Sequence, residues 1–233
     1  DVCSSDLVRD GLGRFFGFHA GMLYWISGWI GNVAIALAGT GYLSAFFPVL
    51  KAPAAAAGCT LAIIWLVTII NFLGARRVAD FEGATLLIGL LPVLGVAVLG
   101  WFAFDPAVFA ASWNVSGRPD AAAVPATIAL IFWAFVGLES ASVAAGVVRN
   151  PARDVPIATL AGVALAAFVY LAASLAISGL LPAAALAASS APFADAAGRW
   201  VGAAAAALVA GCAVLKALGT LSGWVLVTAE VAR

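Results

Sequence analysis

Charge is what this sequence has least of. Asp, Glu, Lys and Arg together make up 9% of its 233 residues, and eleven acidic side chains balance eleven basic ones. No basic run occurs, so the electrostatic footprint of a nucleic-acid binder is missing. Histidine appears once, as His19, and the three cysteines, Cys3, Cys59 and Cys212, form no CxxC pair. Neither a clustered metal-ligand set nor a disulfide framework has support, and no metal or cofactor is expected. Cys59 and Cys212 read as small apolar residues. A cluster of polar catalytic groups at one membrane face is also absent, so the chain is not read as an enzyme.

Apolar residues fill the space that charge leaves. They make up 65% of the chain, at a mean hydropathy of +1.12. Six hydrophobic spans run roughly over 15–46, 54–73, 83–104, 124–147, 156–180 and 200–231, each at or beyond the ~20 residues that a helix needs to cross a bilayer. The period-two alternation of an outer-membrane barrel is not seen. The expected fold is therefore an all-α integral membrane protein. Breakers stand in the connections: Pro48, Pro53, Asp105-Pro106, Asn150-Pro151 and Leu181-Pro182. Pro156 suits the first turn of its helix, where a missing amide hydrogen costs nothing.

Basic residues set the orientation. Arg9, Arg14, Arg76, Arg77, Arg149, Arg153 and Arg233 fall on one side of the alternating spans, and Lys51, Arg118 and Arg199 on the other. The first side is cytoplasmic by the positive-inside rule. Residues 1–14 read as a cytoplasmic lead, of which 1–7 look non-native, and 15–233 as part of a transmembrane domain. The exterior connection from Asp105 to Ala123 carries Trp113-Asn-Val-Ser-Gly117, which includes a chance-prone glycosylation tripeptide at Asn114.

One acid stands out. Glu139, in Trp133-Ala-Phe-Val-Gly-Leu-Glu-Ser-Ala-Ser142, lies inside a hydrophobic span, where ionisable groups are costly and usually functional. Gly137 ahead of it and two serines after it weaken the helix, as in the discontinuous helices that place transporter sites near the membrane midplane. Desolvation favours the neutral form of Glu139 and an arriving cation favours the charged one, so its protonation can be coupled to substrate occupancy.

Two helix faces offer further candidates. Tyr24, Gly28, Asn32 and Ile35 recur at spacings of four, four and three and share one face; on the residues alone this reads as helix packing through small residues. Lys216, Thr220, Gly223 and Trp224 share a face of the last span. Lys216 either snorkels toward the outer surface or is turned away or neutralised by a partner such as Glu139.

Tyr24-Trp-Ile-Ser-Gly-Trp-Ile-Gly-Asn-Val33, Gly41-Tyr-Leu-Ser-Ala-Phe-Phe-Pro48, Trp113-Asn-Val-Ser-Gly117, Gly137-Leu-Glu-Ser-Ala-Ser-Val-Ala-Ala-Gly146 and Asn150-Pro-Ala-Arg-Asp-Val-Pro-Ile-Ala158 resemble the bacterial arginine/agmatine antiporters. These are basic amino acid/polyamine antiporters of the amino acid, polyamine and organocation superfamily. The resemblance covers nearly everything after Arg14. It implies a twelve-helix inverted-repeat fold, of which this chain would supply the third to eighth helices with a break around Gly137, leaving the first helix and its substrate contacts elsewhere. It implies substrate contacts at Ser27, Gly28, Asn32, Ile35, Trp133, Val136 and Trp224, and gating or proton-sensing roles for Tyr24, Glu139, Thr220 and Trp224. Trp133 would be a cation-π platform and Val136 an apolar contact for the substrate's methylene stem. The implied activity is exchange of extracellular arginine for intracellular agmatine at the bacterial inner membrane, contributing to acid resistance. The rivals are lysine/cadaverine or ornithine/putrescine exchange and, outside transport, a purely structural helix bundle. The partners are a cationic amino acid, its decarboxylated amine and the lipid bilayer, with a homodimer as an admissible assembly.

Overall fold

The computed structural model describes residues 4–137 and 150–231, and every regular element among them is helical. A short helix, α1 (Ser4–Leu12), is separated by Gly13 at φ +94° from α2 (Arg14–Leu43). A 3₁₀ turn at Pro48–Lys51 leads into α3 (Pro53–Asn71). Gly74, at φ +99°, reverses the chain into α4 (Ala75–Leu99), which runs on through a 3₁₀ turn to Ala103. Next come α5 (Pro106–Ser112) and α6 (Asp120–Trp133). The chain continues with α7 (Pro151–Leu180), α8 (Ala183–Ala188), α9 (Pro192–Trp200) and α10 (Ala203–Val231).

Proline opens α3, α5, α7 and α9. Its fixed φ is preorganised for the first helical residue and its missing N–H leaves no bond unmade there. At α5 the preceding Asp105 completes the start, its carboxylate accepting from the Ala107 amide at 2.8 Å.

Among the described residues, five helices are long and apolar enough to cross a membrane: Arg14–Leu43, Pro53–Asn71, Ala75–Ala103, Pro151–Leu180 and Ala203–Val231. The fourth expected span, 124–147, is described only through α6 and the turn to Gly137; its remainder, with Glu139, Ser140 and Ser142, lies outside the described residues, as do Cys3, Arg149 and Arg233. Several expected boundaries move. The third span begins at Ala75 rather than near Gly83, because its polar first turns are helical despite their low hydropathy. The fifth begins at Pro151, so Pro156 sits inside α7 rather than in its first turn and removes an interior backbone donor. The last begins at Ala203, because Gly202 at φ +114° separates it from α9, which holds Trp200.

Helix α10 is the centre of the described bundle, packed against α2, α3, α4 and α9. Ala36, Ile63, Val67 and Leu221 bury a common core among α2, α3 and α10. Val96, Ala176, Ile177, Leu180 and Ala196 join α4, α7 and α9. On the outer faces Phe72 and Phe102 are more than four-fifths exposed, a surface that suits lipid or further helices rather than water.

Glycines let α10 approach both flanking helices. A β-carbon on Gly28 would lie 2.9 Å from the Thr228 hydroxyl, and one on Gly39 would lie 3.2 Å from the Ala217 side chain. Toward α4, three antiparallel pairs interlock: Gly89 receives the Lys216 stem, Gly219 receives Thr85 and Gly223 receives the Glu82 carboxylate, each too closely to admit a β-carbon. Small residues at such seams bring membrane helices together where no hydrophobic force separates protein from lipid.

Candidate functional site

The break after α6 organises the site. The helix ends at Trp133, and the amides of Ala134 and Phe135 bond back to Ile131 and Phe132 in tight turns at 3.0 Å. Gly137 follows at φ +105°, in the left-handed region that favours glycine. The Trp224 ring of α10 lies against it, 3.1 Å from where a β-carbon would be. Tyr170 of α7 clamps the turn from the other side. Its hydroxyl donates to the Ala134 carbonyl at 3.3 Å, and its ring meets Phe135 edge-on at 5.6 Å.

Around this turn is a cavity of about 370 Å³, within the usual range for small-ligand sites. Tyr24 of α2, Glu82 of α4, Val136 and Gly137 of the turn, Tyr170 of α7, and Lys216, Thr220 and Trp224 of α10 line it. Four residues singled out as pocket or gate, Tyr24, Val136, Thr220 and Trp224, thus share one space. The Trp133 side chain and Glu139 lie outside the described residues.

The other sequence candidates fall beside the cavity, not on its wall. Gly28 and Asn32 are buried against α10 at Thr228, and the Asn32 amide donates to the Thr228 hydroxyl at 3.3 Å. Its carbonyl oxygen Oδ1 is buried and has no hydrogen-bond partner among the described residues. Ile35 packs onto the α2–α3–α10 core, and Ser27 is exposed.

The expected third span, 83–104, begins one residue past Glu82. Its place on the cavity follows from the earlier start of α4, and the signal is the spacing of Glu82, Thr85 and Gly89, three and four residues apart on one face. Lys216 is the opposite correction. It does not snorkel outward: its ammonium donates to Thr220, one turn farther toward the C-terminal end of α10, and it lines the same cavity as Glu82 of α4. Tyr170 carried no sequence signal beyond being a polar aromatic in an apolar helix.

A second cavity, of about 440 Å³, lies near the C-terminal end of α2 between Thr40, Ser44, Lys51, Ser190 and Asp195. It contains none of the predicted site residues. In the connection after α5, the Asn114 amide donates to the Arg118 carbonyl at 2.7 Å and to the Asp120 carboxylate at 2.6 Å, while its carbonyl accepts from the Ser116 amide and hydroxyl. Asn114 is fully occupied in holding this loop.

Against known proteins, the family described as amino acid permease matches residues 7–233. The chain is 43% identical over 215 residues to the cadaverine/lysine antiporter of Escherichia coli strain K12, an alignment covering 92% of this chain and 48% of that protein. It is 36% identical over 219 residues to the putrescine transporter PotE of Haemophilus influenzae, covering 94% of this chain and 50% of the relative. The chain spans about half the length of the curated relatives it matches.

Proposed function

Because the chain belongs to the amino acid permease family, we propose that the full-length protein containing it is an antiporter that exchanges a basic amino acid carrying a primary ammonium for the corresponding diamine, lysine for cadaverine before ornithine for putrescine. It is a multi-pass protein of the bacterial inner membrane, with five described apolar helices and antiporter relatives. Arginine for agmatine, the expectation from the sequence motifs, gives way as the first reading because the matched relatives are named for cadaverine, lysine and putrescine.

The observation that carries the proposal is the cavity between the Gly137 turn and α10, where an acid, Glu82, and an aromatic ring, Trp224, face the same space inside an apolar bundle. A carboxylate supplies counter-charge to an ammonium, and an aromatic face attracts a cation by about 0.5–2 kcal/mol depending on desolvation. Trp133 is the second aromatic face in this reading, Val136 the contact for the methylene stem, and Glu139 the proton-sensitive acid. Asn32, whose buried Oδ1 has no hydrogen-bond partner among the described residues, is the further contact that this reading takes from the resemblance. Decarboxylation of the imported amino acid takes up a proton, so export of the diamine removes acid from the cell.

Counterflow in liposomes tests the assignment. The purified full-length protein, loaded inside with unlabelled lysine, should accumulate labelled lysine and cadaverine, ornithine and putrescine less, and arginine and agmatine least. Preference for arginine and agmatine would overturn the substrate assignment.

A further inference from the structure

Two opposite charges face one another in the membrane-spanning part of this molecule, and neither the family resemblance nor the relatives' names assign them a role. Glu82 and Lys216 line the same cavity from α4 and α10. Ionisable side chains at such depth are expensive and are kept for function by default. Lys216 has no exit to water along its own helix. It stands 13 residues after Ala203 and 15 before Val231, about 20 Å from either end at 1.5 Å per residue.

The two ends of the Lys216 side chain are treated differently. Its stem is laid into the notch left by Gly89, while its ammonium is at the cavity, donating to the Thr220 hydroxyl. An ammonium has three donors and a carboxylate has about four acceptor sites, so neither Lys216 nor Glu82 is saturated by the other. Glu82 in turn fits into the notch at Gly223, one residue from Trp224, which fixes the carboxylate beside the aromatic wall.

The chemistry of Lys216 is that of the cargo. Its head is a primary ammonium on a flexible alkyl chain, the group that lysine, ornithine and their diamines carry, whereas a guanidinium is planar and broader. We propose that Glu82 is the counter-ion for the substrate's alkylammonium group and that Lys216 competes with the substrate for it, a specificity device that rests on the proposed amine exchange. With the cavity empty, Lys216 supplies counter-charge across it to the partly buried Glu82. When substrate enters, its ammonium takes over part of the carboxylate. Competition holds affinity below what a bare carboxylate would give and permits release on the far side.

Binding of radiolabelled cadaverine, lysine and arginine to the full-length protein, with Glu82→Gln, Lys216→Met and the double variant, tests this. Lys216→Met should tighten cadaverine binding about tenfold and slow exchange, and Glu82→Gln should weaken binding about tenfold. In the Glu82→Gln background, adding Lys216→Met should change affinity less than twofold. Lys216→Gln, which keeps a donor for Thr220, should shift affinity in the same direction as Lys216→Met and covers a failure of that variant to fold. A pair that merely clamps α4 to α10 predicts instead that both single variants lose yield and thermal stability, that the double variant recovers them, and that affinities of the folded protein are unchanged; that result overturns the proposal. If the wild type takes arginine rather than cadaverine, the amine-exchange reading fails, while the opposite signs of the two variants can still be read on arginine.

Discussion

Thr85 of α4 is buried against Gly219 of α10 so closely that a β-carbon on the glycine would overlap the threonine hydroxyl. That hydroxyl is fixed by bonds to the carbonyls of Phe81 and Glu82, both at 3.0 Å, and cannot retreat freely. Gly219→Ala should therefore force the two helices apart at the seam that carries Glu82 and Lys216. The expected cost is about 1–3 kcal/mol, the usual range for overpacking a tight interior, and a thermal melt of the purified protein in detergent measures it. Thr85→Ala in the same background, by removing the overlapping hydroxyl, should recover part of the loss.

The contact between Trp224 and Gly137 separates a gating role from a binding role. Trp224→Leu should reduce exchange more than it reduces affinity, because a ring resting on the broken helix acts on the passage between states. Trp133→Leu should instead weaken binding of the cationic substrate by about 0.5–2 kcal/mol, the cation-π range. Calorimetry and liposome exchange on both variants distinguish them; unchanged affinity in the Trp133 variant contradicts the stacking role.

Asn32 and Thr228 make a cross-helix bond, and the Asn32 oxygen has no partner among the described residues. Thr228→Val strands the buried Asn32 amide and should destabilise the protein by about 1–3 kcal/mol, the cost of an unsatisfied buried donor. Asn32→Leu removes the free oxygen as well, and should lower substrate affinity more than Thr228→Val does. Melting temperature and binding constant, measured together on each variant, show which property moves.

Glu139→Gln mimics the protonated acid in shape and lacks its charge, so a pH dependence of exchange that passes through this residue should flatten. The measurement is exchange from acid to neutral pH in liposomes with equal pH on both sides. A profile that keeps its wild-type shape excludes Glu139 as the sensor.

Much of the architecture can be read from the residues. Proline at the first residue of α3 and of α5 marks real helix starts, and α6 ends at Trp133 in a turn that reaches Gly137 at positive φ. Trp224 and Thr220 share a helix face by spacing alone and do line one cavity. Glu82 was hidden by its neighbours. With Arg76, Arg77 and Asp80 just ahead of it, hydropathy places it in a loop, whereas the turn signal is Gly74 and the helix begins immediately after. Pro156 misled because Pro151 already fills the first-turn position. The meeting of Lys216 and Glu82 at one cavity depends on antiparallel register between α4 and α10, and that register is set by notches at Gly89, Gly219 and Gly223, far apart in sequence from the residues they receive.

The most direct measurement is uptake of labelled cadaverine by liposomes holding the full-length protein, loaded with lysine, with arginine or with no substrate. Obligate exchange of an alkylammonium pair predicts rapid uptake against internal lysine, much slower uptake against arginine and almost none into empty vesicles. Equal uptake into empty and lysine-loaded vesicles would contradict antiport, and uptake driven by arginine as well as by lysine would contradict the primary-amine assignment.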